Sequence, residues 1–197
     1  MARLPTSDEE AGMTDAADRL RRRVLWAMPS GLYIVGSRSG DRCNLMTCNW
    51  VMQVATTPKL VAIGIETASV TRSLIEETGS FSVNLLARSD RSIVRRFVKP
   101  VRDVAVDDAG RLVSLQGEPV HEVTGGLPVV NAAVAWLTCS VRSTMTWDDN
   151  EAALPASHVL VIGEVVEVGA SEKFDTLGDH SDAGILSMSD TRMSYGG

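Results

Sequence analysis

Residues 43–54 read CNLMTCNWVMQV, and the layout of that stretch decides the fold. From Met46 to Val54 it alternates, with Met46, Cys48, Trp50, Met52 and Val54 on one face and Thr47, Asn49, Val51 and Gln53 on the other. A period of two marks an extended strand, because successive side chains of a pleated backbone point to opposite sides. Cys43 and Cys48 invite a reading as a redox or metal pair. Strand geometry opposes it. Five residues separate their Cα atoms by about 16 Å, whereas a disulfide needs them within about 7 Å. The odd offset also turns the two sulfurs to opposite faces, which leaves Cys48 as a small core hydrophobe. Thr47 and Asn49, polar and mid-strand, either face solvent or need a partner.

Working outward, residues 31–54 form a β-hairpin with SRSGDR (37–42) as its turn, and KLVAIGI (59–65) is a further strand. Upstream, residues 14–28 predict a helix capped by Thr14 or Asp15, with Ala17, Leu20, Val24 and Met28 on one face, and residues 1–13 a flexible arm. Downstream, SVTRSLIEETG (69–79) predicts a short helix opened by Ser69 or Thr71 and stopped by Gly79. FSVNLL (81–86) is a strand, and SDRSIVRRFV (89–98) a second short helix capped by Ser89. Residues 99–130 carry Pro100, Gly110, Pro119, Gly125 and Pro128, a turn-rich excursion with two short strands. Two long strands follow at 132–143 and 158–168. The tail, 181–197, has no periodicity and reads as a loop that needs a partner surface to be ordered. Many strands with few short helices predict a mainly β, antiparallel barrel in one domain, residues 14–180.

Composition narrows the function. The chain has 197 residues, 44% of them hydrophobic and 22% charged, with a formal charge of −6. That charge argues against nucleic acid as a partner, though one local site can still be positive. No apolar run reaches the about 18 residues of a membrane span, and the polar N-terminus lacks the apolar core of a signal peptide. With three cysteines, a reducing cytoplasmic location is expected. No dinucleotide-binding G-x-G-x-x-G, phosphate-binding P-loop or nucleophile elbow is present. Three histidines, His121, His158 and His180, are too scattered to predict a zinc site.

Three blocks in order resemble the flavin reductase family, whose members fold as FMN-binding split barrels. GLYIVGS (31–37) with NLMTCNWVMQVATTPKLVAIGI (44–65) is similar to the family's M-T-x-[NS]-[WS] and P-x-L-V-x-V elements. ETASVTRSLIEETGSFSVNLL (66–86) is similar to its S-x-T helix and V-N-x-L strand, and ASHVLVIGEVVEV (156–168) to its D-H-x-[LI]-x-[VI]-G-E-V strand. The resemblance implies that Thr47, Cys48, Asn49 and Trp50 hold the isoalloxazine ring, and that Ser69, Val70, Thr71 and Arg72 receive the phosphate. A helix N-terminus suits an anion through its free N–H groups and dipole, although the same residues also suit ordinary capping with a solvated Arg. It further places His158, the candidate catalytic residue, near the face where a nicotinamide stacks, with Ser157 where an Asp often stands. Arg192 and Tyr195 match a terminal element near the flavin in some relatives, whereas Asn84 reads as structural.

The activity so implied is hydride transfer from NADH or NADPH to FMN, with FAD as an alternative flavin. The protein's part is to hold two rings in reacting geometry. A homodimer and a monooxygenase component fed with reduced flavin are the partners implied. An FMN-holding electron carrier without nicotinamide activity, or a split barrel for haem or a deazaflavin, are the rival readings.

Overall fold

The computed structural model describes residues 7–147, 156–176, 184–191 and 193. Seven strands form one antiparallel sheet in the order β2-β1-β5-β10-β11-β4-β3, and four more form a second sheet, β6-β7-β8-β9. The first hairpin joins β1 (Tyr33–Ser39) to β2 (Arg42–Cys48), with Ser39 paired to Arg42. Gly40 takes the positive φ of 57° that this tight two-residue connection requires. β3 (Val51–Thr56) returns on β4 (Lys59–Glu66), whose other edge pairs with β11 (His158–Ala170). β11 is in turn paired with β10 (Ala135–Met145), and β10 with β5 (Ser80–Leu85). The long alternating strand expected from Met46 to Val54 is therefore two strands, broken at Asn49-Trp50. That break lets β2 and β3 sit on opposite edges of the sheet and gives the barrel its split.

One core lies inside the curled sheet, around Val35, Cys48, Ile63, Ile65, Phe81, Val83 and Val161. A second lies between the sheet's other face and the four-stranded layer, around Leu32, Ile34, Cys43, Leu45, Leu115 and Val129. Cys43 and Cys48 fall in different cores, as their offset predicts. Asn84, fully buried, ties the two layers: its Nδ2 donates to Ile34 O at 3.0 Å and its Oδ1 accepts from Val130 N at 2.8 Å.

Helix α2 (Val70–Thr78) fills the split. Ser69 caps it, accepting from Arg72 N at 3.2 Å, and Gly79 closes it in the left-handed region at φ 67°. Its Leu74 and Ile75 are buried, Ile75 within the barrel core.

Four expectations are corrected. Helix α1 (Ser7–Trp26) starts before Thr14 and takes in part of the expected arm. Its apolar stripe does not pack on the rest of the described chain: Leu20 and Val24 are each 59% exposed and Met28 66%. The second short helix is instead two 3₁₀ turns, Arg88–Asp90 and Ile93–Phe97, neither capped by a side chain. The excursion from 99 to 130 holds the four strands β6 (Val104–Val106), β7 (Leu112–Leu115), β8 (Glu118–Val123) and β9 (Leu127–Val130). Paired edge to edge, they satisfy their backbones where a Pro- and Gly-rich sequence suggests mostly turns. The described part of the tail rests on the protein's own surface. Leu186 is buried, its N–H bonding Leu86 O at 2.9 Å and its carbonyl accepting from Leu32 N at 3.2 Å. A short helix α3 (Glu172–Thr176) follows β11.

Candidate functional site

The break between β2 and β3 creates the site's first wall. Cys48 ends β2 facing inward, its Sγ 3.5 Å from Gly64 O and 3.8 Å from Trp50 O. Trp50 O accepts from Gly64 N at 2.8 Å, so the indole is pinned across β4 at a residue with no side chain to displace it. A Cβ on Gly64 would stand 3.1 Å from Trp50 Cε3. Trp50 remains 41% exposed, and its ring meets His158 edge-on, with centroids 4.6 Å apart and planes at 64°. His158 opens β11 opposite Glu66, and Ser157 Oγ lies 2.9 Å from its Nδ1. Ser157, at the position where the resemblance expects an Asp, is therefore within hydrogen-bond distance of the imidazole. Asn49 is partly exposed at the bend beside Trp50.

Two of the ring-edge candidates do other work. Thr47 is buried, and its hydroxyl donates to Val94 O at 2.5 Å, fastening β2 to the second 3₁₀ turn. Cys48 can offer only its backbone to a ligand. Burial pushes its thiol up to about 12, far from the thiolate that redox or metal chemistry needs. Because the fold favours the protonated thiol, its contribution to stability is complete below the ordinary value of 9.0 and is lost as pH rises from there toward about 12. Native Cys48 should therefore resist alkylation at neutral pH and react only on unfolding, while Cys48→Ala should flatten the alkaline fall in denaturation midpoint. Ready alkylation of the native protein at Cys48 would refute this placement.

The second wall is the start of α2. The first N–H groups of a helix have no intrahelical acceptor, and Val70, 36% exposed, stands at this end beside the Ser69 cap. Thr71 turns inward. It is fully buried, and its Oγ1 accepts from Asn44 Nδ2 at 2.8 Å, so its hydroxyl does not face an incoming phosphate. Arg72 is also committed: Nη1 donates to Thr67 O at 2.8 Å and Nη2 pairs with Glu76 at 2.6 Å. Its Nε is buried without a partner among the described residues. Of the four phosphate candidates, the structure leaves the Ser69–Val70 end open to solvent.

Thr67, which the sequence reading passed over, joins the walls. Its N–H donates to Ser157 O at 2.9 Å and its hydroxyl to Ala156 O at 2.7 Å, while its carbonyl holds Arg72. The end of β4, the start of α2 and the start of β11 therefore form one rim carrying Trp50, Ser69, Val70 and His158. A polar Thr between a strand and a capping Ser was the available signal. Arg192 and Tyr195 lie outside the described residues. Among the described residues no cluster of His, Cys, Asp or Glu could hold a metal ion, and no helix is long and apolar enough to cross a membrane.

Comparison with known proteins bears on the chain as a whole. Residues 25–183 match the family described as "Flavin reductase like domain". The chain is 27% identical over 152 residues to the NADH-dependent flavin reductase StyB of Pseudomonas fluorescens, covering 77% of this chain and 78% of that one. It is 26% identical over 149 residues to putative diflavin flavoprotein A 1 of Nostoc sp., but spans only 24% of that longer protein's length. Among solved structures, flavin reductase PheA2 superposes with a TM-score of 0.60 at 26% identity, covering 79% of this chain and 88% of that one.

Proposed function

The chain belongs to the flavin reductase-like domain family, and from that membership and the rim's geometry we propose that it is an oxidoreductase that binds FMN and reduces it with NADH or NADPH. The observation that carries this reading is the contact of Trp50 with His158 on the same rim as the open N-terminus of α2. A flavin needs both features at once: an aromatic, partly exposed wall for its ring, and N–H donors with a positive dipole for its phosphate. Flavin supplies a ring that accepts a hydride, so the chain needs no strong acid or base of its own. Ser69 and Val70 would hold the phosphate end through their hydroxyl and backbone groups. Asn49 and the backbone at Cys48 would meet the ring's polar edge. His158, held by Ser157, would line the face that the nicotinamide approaches.

Half-exposure of Trp50 suits a flavin that exchanges, and we include in the proposal a monooxygenase component that takes up the reduced form. The uncovered stripe of Leu20 and Val24 on α1, continued by Met28 just after it, supports a homodimer in which a second copy covers it.

The phosphate assignment is tested by comparing FMN with riboflavin, which lacks the phosphate. Ser69→Ala should weaken FMN about tenfold and riboflavin little, the size of one charge-assisted hydrogen bond. Thr71→Ser should leave both affinities as they are, since Asn44 keeps its acceptor. Equal losses of FMN and riboflavin in Ser69→Ala would show that Ser69 does not serve the phosphate.

A further inference from the structure

Residues 88–102, RSDRSIVRRFVKPVR, hold six cationic side chains and one carboxylate, Asp90, in a chain whose formal charge is −6. Two of the six are neutralised: Arg88 pairs with Asp190 at 2.8 Å and Arg96 with Glu118 at 3.3 Å. Arg91, Arg95, Lys99 and Arg102 are exposed and have no ion pair among the described residues. Elsewhere the arginines of the barrel (Arg38, Arg42, Arg72, Arg111 and Arg142) all have carboxylate partners. Apart from Arg23 on α1 and Lys59 at the start of β4, the exposed cations without an ion pair among the described residues are thus concentrated in one segment.

That segment is fastened to both walls of the candidate site. Val94, next to Arg95, accepts through its carbonyl the hydroxyl of Thr47 at 2.5 Å, and Thr47 stands three positions before Trp50. Asn44 clasps the other end: its Oδ1 accepts from Val101 N and its Nδ2 donates to Thr71 Oγ1, each at 2.8 Å. A single buried side chain therefore separates the backbone beside Arg102 from the first turn of α2. The segment's second 3₁₀ turn packs against β2, the outer strand of the sheet, so these tethers hold it beside the strand that leads into Trp50.

FMN brings one phosphate, for which the start of α2 suffices, and this leaves four cations for more anionic charge. We propose that Arg91, Arg95, Lys99 and Arg102 receive the phosphates of a dinucleotide at this rim: the pyrophosphate, and where present the 2′-phosphate, of the nicotinamide donor, or the pyrophosphate of FAD. The inference rests on the reading of the rim as a flavin site. It names the group that selects among ligands there.

The test neutralises the four together (Arg91→Gln, Arg95→Gln, Lys99→Gln, Arg102→Gln), with Arg91→Lys, Arg95→Lys and Arg102→Lys as a variant that keeps the charge. Direct binding of FMN, FAD, NADH and NADPH is measured by fluorescence titration across a range of salt concentrations, alongside KM and kcat for both donors. The neutral variant should keep its FMN affinity and kcat. It should bind the dinucleotide about tenfold more weakly, with a shallower salt dependence, and the charge-keeping variant should behave as the parent. Loss for NADPH beyond NADH identifies the 2′-phosphate as a ligand. Loss for FAD alone identifies the flavin's pyrophosphate. Unchanged affinity for all four ligands would overturn the proposal and leave the charge to an acidic protein partner, and equal loss including FMN would overturn it as general damage. Should the parent turn over neither donor, the reductase reading fails, while the comparison of FAD with FMN still decides this one.

Discussion

Trp50→Ala is expected to cut kcat/KM for flavin reduction about a hundredfold while leaving thermal stability almost unchanged. The size follows from misplacing a ring that must sit in near-attack geometry, where errors of about 1 Å cost on the order of 10²-fold. The selectivity follows from exposure. At 41% exposed, the indole contributes little to the core, yet it fixes the side of His158 and overlies Gly64. Trp50→Phe keeps an aromatic edge against the imidazole and should recover most of the activity. Steady-state kinetics with a melting curve on the same samples decide the matter. A variant that turns over like the parent would remove Trp50 from the site, and one that melts early would make it a structural residue.

The second large effect falls on the fold. Asn84→Ala should lower the free energy of unfolding by about 2–4 kcal/mol, because it removes two buried hydrogen bonds and leaves the Val130 N–H without its acceptor between the layers. Asn84→Asp should be no milder, since it exchanges a donor to Ile34 O for a buried charge. Urea unfolding of parent and variants measures both. A loss below about 0.5 kcal/mol, the range of ordinary surface substitutions, would mean that the layers do not depend on this clasp.

Local signals carried much of the fold. Alternation placed the strands, Ser69 and Gly79 bounded α2, and the odd spacing of Cys43 and Cys48 separated them into two cores. What local pattern could not show was the break at Asn49-Trp50, because the alternation runs through it without a fault; only the pairing of β3 with β4 rather than with β2 requires it. The second sheet was hidden for a related reason. Its strands are short and set among Pro and Gly, and their stability comes from pairing with one another and from packing against β1 and β5.

For the candidate site, residue type could be read from sequence but side-chain direction could not. Sequence offers Thr47, Thr71 and Arg72 as ligand groups, yet in the fold their polar groups are spent on Val94, Asn44, Thr67 and Glu76. Those partners lie 47, 27, 5 and 4 residues away in the chain, and the first two separations are beyond any periodicity argument. His158 shows the converse, since replacing the expected Asp by Ser157 still gives its Nδ1 a neighbour at 2.9 Å.

The central claim is that the rim of Trp50, Ser69, Val70 and His158 holds a flavin and presents it to a nicotinamide. Its most direct test is the visible absorption of FMN mixed with the full chain under anaerobic conditions, followed after addition of NADH and, separately, NADPH. The account predicts that the oxidised-flavin band bleaches with at least one donor, far faster than without protein, and that Trp50→Ala slows the bleaching. A band that persists with both donors would contradict it.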